Sequence, residues 1–142
     1  MKKIHFIFFL ITCLFFTVSA QETETESPYR YVAKMPEYPG GQVALNQYLI
    51  THVTYPAAAR DAGAEGTVMV EFVVEKDGSV SNVKTVLSVY PVLDEEAMRV
   101  VRELPKWTPG EVNGNKVRVY YNIPIRFQLE PSKKHKKGKN RR

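Results

Sequence analysis

The chain has 142 residues, a formal net charge of +5, one cysteine and three histidines, and 44% of its residues are hydrophobic. This is enough for one small domain with an apolar core, and too few cysteines and histidines for a disulfide scaffold or a clustered metal site. The charge is local: residues 21–130 hold 11 Lys+Arg against 15 Asp+Glu, whereas residues 131–142 hold seven positive charges and no acid.

At the amino terminus Lys2 and Lys3 precede an apolar run from Ile4 to Phe16, and Val18-Ser19-Ala20 offers small residues for cleavage before Gln21. That is the pattern of an export signal over residues 1–20. The run is short for a membrane span, and an uncleaved signal-anchor is the alternative. Cys13 lies inside the signal, so the exported chain carries no thiol. Export also takes the chain away from nucleic acid. Residues 21–34 begin as alternating Glu and Thr and read as a flexible acidic leader. One folded domain is expected over residues 35–130.

Pro36, Pro39, Gly40 and Gly41 mark a turn into that domain. A first helix is predicted over Gln42 to Thr51, with Leu45, Tyr48, Leu49 and His52 at helical spacing. Tyr55-Pro56 opens a short second helix that stops at Gly63. Gly66 leads into a strand from Thr67 to Glu75, with Val68, Val70, Phe72 and Val74 on one face. Asp77-Gly78 signals a hairpin. A two-residue loop sets Phe72 opposite Val83 and Val68 opposite Leu87, which gathers apolar residues on one side. A three-residue loop with Gly78 in a bulge sets Phe72 against Asn82 and is the poorer choice. The second strand is then Val80 to Leu87.

Pro91 announces the main helix, Val92 to Leu104, with an apolar stripe of Leu93, Ala97, Val100, Val101 and Leu104. Asp94, Glu95 and Glu96 complement the dipole of its first turns, Glu95 and Arg99 form an i,i+4 pair, and Pro105 ends it. Trp107 follows the helix and is expected to cap the core with its N–H satisfied at the rim. After a loop through Asn113-Gly114, Val117 to Leu129 alternates without a break. Val117, Val119, Tyr121, Ile123, Ile125, Phe127 and Leu129 share one face, and Arg118, Tyr120, Asn122, Pro124, Arg126 and Gln128 the other. At about 3.3 Å per residue such a strand runs about 43 Å. With thirteen residues against nine and eight in the other two strands, it should overhang its partner. Pro124 cannot donate to a ladder, so the strand belongs at a sheet edge, where another chain can add itself. The order helix, strand, strand, helix, strand gives an α+β fold: a three-stranded antiparallel sheet with two main helices packed on one face.

Signs of catalysis are scarce. Only His52 and His135 lie outside the signal, too few for a metal cluster, and Ser79, Ser81 and Ser88 have no histidine nearby in sequence to serve as base. Gly40-Gly41 is not a phosphate loop, because no strand leads into it and no Gly-Lys-Ser/Thr follows. Neither an enzyme nor a cofactor is expected.

Taken together, Tyr55-Pro56 followed by Ala57-Ala58-Ala59-Arg60, Gly63 and Gly66, the strand from Val68 to Val74, Asp77-Gly78-Ser79-Val80, Leu93-Asp94-Glu95-Glu96-Ala97, Trp107-Thr108-Pro109-Gly110 and the closing strand resemble the TonB C-terminal domain family. The lead-in from Met35 to Gly41 is similar to one subgroup, and the resemblance covers about residues 35–130. It implies a periplasmic domain that captures an extended peptide, the TonB box, of an outer-membrane TonB-dependent transporter. In the family that peptide pairs with the last strand, beside the segment before the Tyr-Pro motif. Carried over by position, the pairing edge is Val117, Arg118, Val119, Tyr120, Tyr121, Asn122, Ile123, Ile125 and Arg126, flanked by His52, Val53, Thr54 and Tyr55. The family is driven by inner-membrane partners through a membrane helix and a long Pro-rich spacer. Here the leader has 14 residues and one proline, a reach of at most about 50 Å. An inner-membrane energising complex is therefore a partner only if the signal stays as an anchor. The rival class is an envelope-associated structural protein, whose basic tail holds anionic polymer or membrane surface and whose sheet edge forms a homodimer.

Overall fold

The computed structural model describes residues 26–130. The expected export signal of residues 1–20 and the basic stretch of residues 131–142 lie outside the described residues, as does the expected leader up to residue 25. Eight elements follow in order: α1 (Gly41–His52), α2 (Ala57–Asp61), β1 (Gly66–Val74), β2 (Val80–Leu87), α3 (Pro91–Arg102), β3 (Gly110–Val112), β4 (Asn115–Val117) and β5 (Val119–Phe127). The main sheet is antiparallel with β1 in the centre, in the order β2-β1-β5. Val68, Val70, Phe72 and Val74 of β1 and Ile123, Ile125 and Phe127 of β5 bury one face against Leu45 of α1, Ala59 of α2 and Leu93, Ala97 and Val101 of α3. Period-2 strands and 3.6-period helices thus meet along one apolar layer. The α+β fold expected from the sequence is the fold observed.

The hairpin departs from its expected register, and the departure has a local cause. Glu75 donates its N–H to the Ser79 carbonyl at 2.8 Å, and Gly78 closes the turn on the Glu75 carbonyl at 2.9 Å. The loop is therefore the three-residue form that the pattern disfavours. Gly78 carries φ 84° and hugs the chain after α3, where an added Cβ would stand 2.0 Å from the Trp107 carbonyl oxygen. Pairing starts as Val74↔Val80 and Val73↔Ser81, then slips by one residue at Asn82 and continues as Glu71↔Lys84. Asn82 takes φ 50° to make this bulge, a conformation that Asn tolerates better than most residues. The bulge restores the register that a two-residue loop would have imposed as far as Val70↔Thr85; a second slip then sets Met69, not Val68, opposite Leu87. Apolar patterning thus decides the strand and turn chemistry decides the loop, and one extra residue reconciles them.

The long alternating stretch is also not one strand. Asn113 (φ 50°) and Gly114 (φ 79°) form a tight turn, the Asn-Gly hairpin signal of mirror-image turns. β3 and β4 fold over it as Gly110↔Val117, Glu111↔Lys116 and Val112↔Asn115. Arg118 then separates β4 from β5, and β5 pairs end to end with β1, from Gly66↔Phe127 to Val74↔Val119. No overhang results. Gly110 sits where an added Cβ would meet a Val119 methyl at 2.6 Å, so the small hairpin presses on the start of β5.

Three smaller expectations also change. Arg99 pairs with Glu96 at 2.7 Å and Glu103 at 2.8 Å, leaving Glu95 aside. Pro56 caps α2 from outside its first turn. Trp107 is core, with the rings of Tyr38 and Phe72 each 5.6 Å away and Tyr121 at 4.9 Å; its buried indole N–H has no hydrogen-bond partner among the described residues.

Candidate functional site

β5 spends one side of its main chain on β1, and the other side faces outward. Two hydrogen bonds fix the phase: Tyr29 donates its N–H to the Arg118 carbonyl, and Tyr120 donates its N–H to the Tyr29 carbonyl, both at 2.8 Å. Pairing with β1 runs through nine consecutive residue pairs without a shift. Main-chain groups alternate sides along a regular strand, so Asn122, Pro124 and Arg126 point theirs outward with Tyr120. Among the described residues no segment pairs with those three on that side. Pro124 falls where its missing N–H deprives no ladder within the fold.

A groove of about 450 Å³ runs beside this open stretch. Asn46, Leu49 and Ile50 of α1, with Val53 and Tyr55 after it, form one wall, and residues 124–128 form the other. Ile50 stands 76% exposed at its lip. Tyr55 is held firmly, donating its hydroxyl to the Ala64 carbonyl and meeting Phe127 edge to face at 5.7 Å. The result is a row of outward main-chain donors and acceptors beside an apolar wall. Such an arrangement suits an added strand whose alternate side chains enter the groove.

Charge gathers at the other end of β5. Glu71 is only 5% exposed, yet Arg30 and Lys84 each reach it at 3.1 Å. Burial opposes its ionisation, but the hydrogen bonds and charges of Lys84 and Arg30 outweigh burial and hold the carboxyl below the usual glutamate range. Arg118 holds Glu75 at 2.7 and 3.0 Å, which lowers the Glu75 carboxyl in the same way and raises the guanidinium. Arg30 also stacks over the Tyr120 ring at 4.6 Å. Residues 29–34 therefore do not hang free as a leader. Besides Tyr29, Lys34 accepts the Glu111 N–H at 2.9 Å through its carbonyl and pairs with Glu111 through its side chain.

The structure disperses the residues that the sequence grouped. Val117 is buried in β4, and Arg118 spends its carbonyl on Tyr29 and its guanidinium on Glu75. Val119, Ile123 and Ile125 point into the interior, and Tyr121 joins the aromatic cluster around Trp107. Asn122 and Arg126 are exposed on the outward stretch. In the flank, Val53 and Tyr55 reach the groove, but His52 and Thr54 turn away. His52 stacks on Tyr48 at 3.9 Å and accepts an Arg99 N–H at 3.0 Å through its carbonyl. Thr54 donates its N–H to Glu96 at 2.7 Å. Asn46, Leu49 and Ile50 join the wall although the sequence pattern alone does not single them out for it. A signal was present, since Val43 and Ile50 are apolar, lie off the buried stripe and are strongly exposed.

Among the described residues no group of three His, Cys, Asp or Glu could hold a metal ion, and no helix is long and apolar enough to cross a membrane. The family described as Gram-negative bacterial TonB protein C-terminal matches residues 51–129. A "Protein TonB" of Vibrio cholerae serotype O1 is 35% identical over 77 residues, which are 54% of this chain and 31% of that protein. This chain thus corresponds to about a third of that relative's length. Two solution structures of the Helicobacter pylori TonB C-terminal domain, of its residues 179–285 and 194–285, each show 26% identity over 63% of this chain. The alignments cover 80% and 94% of those chains, with TM-scores of 0.49 and 0.48.

Proposed function

Because the chain belongs to the family of Gram-negative TonB C-terminal domains, we propose that it is a non-catalytic periplasmic module of TonB-type transport energy transduction, capturing an extended peptide of an outer-membrane transporter by strand addition on β5. One observation carries the reading: a regular free edge from Asn122 to Arg126 lies beside an apolar groove. The guest bonds to the carbonyls of Asn122, Pro124 and Arg126 and to the N–H groups of Asn122 and Arg126. Each such bond contributes about 1 kcal/mol net, so main-chain pairing alone is weak. Leu49, Ile50, Val53 and Tyr55 add apolar contact and exclude water, and Asn122 and Arg126 contact the guest with their exposed side chains.

Substituting Asn122→Pro removes one outward donor and leaves the β1 ladder whole. Residues 21–142 carrying it should retain about a fifth to a tenth of wild-type capture from an outer-membrane extract, with nearly unchanged thermal unfolding. Equal losses of capture and stability would mean that the stretch is internal to the fold's cohesion. Should removal of residues 131–142 abolish capture while Asn122→Pro does nothing, the envelope-association reading through the basic tail takes its place.

A further inference from the structure

The free edge of β5 is already occupied at one end by the protein's own chain. Tyr29 forms a parallel bridge to Val119, which makes it an added strand of minimal length, bonded as a guest would be. Immediately beyond it the chain leaves the edge. A wedge of about 150 Å³ opens there between Arg30, Tyr31 and Met35 on one side and Tyr120, Tyr121 and Asn122 on the other. The closed part of the edge ends where the open part begins.

The ties holding Tyr29 in place differ from those a few residues later. Around Tyr29 they are polar and wet. The Arg30 side chain, which pairs with Glu71, is 62% exposed, and Glu26 meets Lys76 at 2.7 Å with both side chains about half exposed. Arg118 donates to the Glu26 carbonyl at 2.8 Å, and Tyr31 is 88% exposed. The Glu26–Lys76 pair is exposed on both sides and holds weakly, and the buried Glu71 keeps Lys84 at 3.1 Å when Arg30 leaves, so the segment can open locally while the core stays folded. From Glu37 onward the chain is fixed. Glu37 exchanges both main-chain bonds with Thr108, at 3.0 and 2.9 Å, and Tyr38 is buried against Trp107.

We propose that the segment around Tyr29 is a displaceable internal strand that limits which guests the β5 edge accepts. It rests on the strand-addition reading above. A guest confined to residues 122–126 leaves the segment in place, whereas a longer guest that also pairs with Arg118 and Tyr120 must evict it. Because the segment is tethered to the edge, it competes at a high effective concentration. The edge therefore discriminates against long strands until the segment is detached, and Tyr29 and Arg30 set that threshold.

Amide hydrogen exchange on residues 21–142 tests this without a transporter. In the guest-free protein the Tyr120 amide should exchange about tenfold more slowly than the open Asn122 and Arg126 amides. In the double variant Tyr29→Pro/Arg30→Ala it should exchange as fast as they do, with the Phe72 amide unchanged. A synthetic peptide copying residues 26–34 (ESPYRYVAK), added at millimolar concentration, should restore Tyr120 protection in that variant and leave the wild type unaltered. A Tyr120 amide as fast as Asn122 in the wild type overturns the internal strand, whatever the protein captures. Failure of the peptide to restore protection, with Phe72 intact, overturns its character as an exchangeable strand. A protected Tyr120 in a protein whose transporter capture is insensitive to Asn122→Pro instead overturns the strand-addition reading, leaving the internal strand without a guest to select.

Discussion

The two edges of the main sheet handle the same hazard in opposite ways. β2 is irregular: its pairing with β1 slips once at Asn82 and again beyond Thr85, where the ladder passes to Met69↔Leu87. Two slips within eight residues twist that edge out of the geometry a second strand needs, even though Val86 and Leu87 are 50% and 55% exposed. β5 keeps nine pairs in strict register and has an apolar wall beside it. Among the described residues, its outward bonding is broken at Pro124 and taken up over the short stretch that Tyr29 covers. Exposed apolar area alone therefore does not separate the two edges. Regular outward main-chain geometry does, and of these two edges β5 has it.

The contrast can be broken most severely from the β2 side. Gly78→Ala places a Cβ 2.0 Å from the Trp107 carbonyl oxygen on a residue at φ 84°. Denaturant unfolding should show a loss of about 3 kcal/mol or more. Capture should fall only in proportion to the folded fraction, because β5 is untouched; a capture defect exceeding the stability defect would mean that the two edges are coupled. An intermediate effect is expected from a matched pair of substitutions. Ile50→Asp at the lip of the groove should weaken capture about tenfold with stability changed by less than about 0.5 kcal/mol, while Val86→Asp on β2 should leave capture unchanged. Equal effects in titration of the two variants would erase the distinction between the edges.

The smallest effect concerns acid. Glu71 and Glu75 both ionise more readily in the folded protein than in an unfolded chain. Their stabilisation is therefore complete above the unfolded glutamate pKa of about 4.3 and is lost as pH falls through the lower folded values. Both carboxylates hold groups near the start of β5, Glu71 through Arg30 and Glu75 through Arg118. Below about pH 4 the Tyr120 amide should lose protection relative to Asn122 at the same pH, before the Phe72 amide does. Simultaneous loss at both positions would show that these ion pairs serve the whole fold and not the internal strand.

Much of the architecture could be read from short-range pattern. The stripe Leu93, Ala97, Val100, Val101 and Leu104 predicts α3; the first four are its buried residues, while the helix stops at Arg102 and Leu104 is buried just beyond its end. Val68, Val70, Phe72 and Val74 predict the buried face of β1. Pattern failed where two rules competed over the same few residues. At Asp77-Gly78 the local turn overrode the expected loop, and Asn82 absorbed the difference. At Asn113-Gly114 the hairpin signal competes with the continuous alternation from Val117 to Leu129, which spans two strands with different partners. The site suffered more than the fold. Val53, Tyr55, Asn122 and Arg126 border the open stretch, but its apolar wall comes chiefly from Leu49 and Ile50, distant in sequence from β5.

By itself the sequence determined which residues face inward and which face water, because side chains alternate across a strand and repeat around a helix. Through Pro124 it also determined that the last strand lies at an edge. Only the tertiary structure decided what lies along that edge: an irregular β2 on the far side, α1 beside the open stretch, and Tyr29 bonded to its start. The physical reason lies in direction. Side chains stand perpendicular to the sheet and carry the pattern, whereas strand partners are chosen laterally through main-chain N–H and C=O groups that every residue but proline shares.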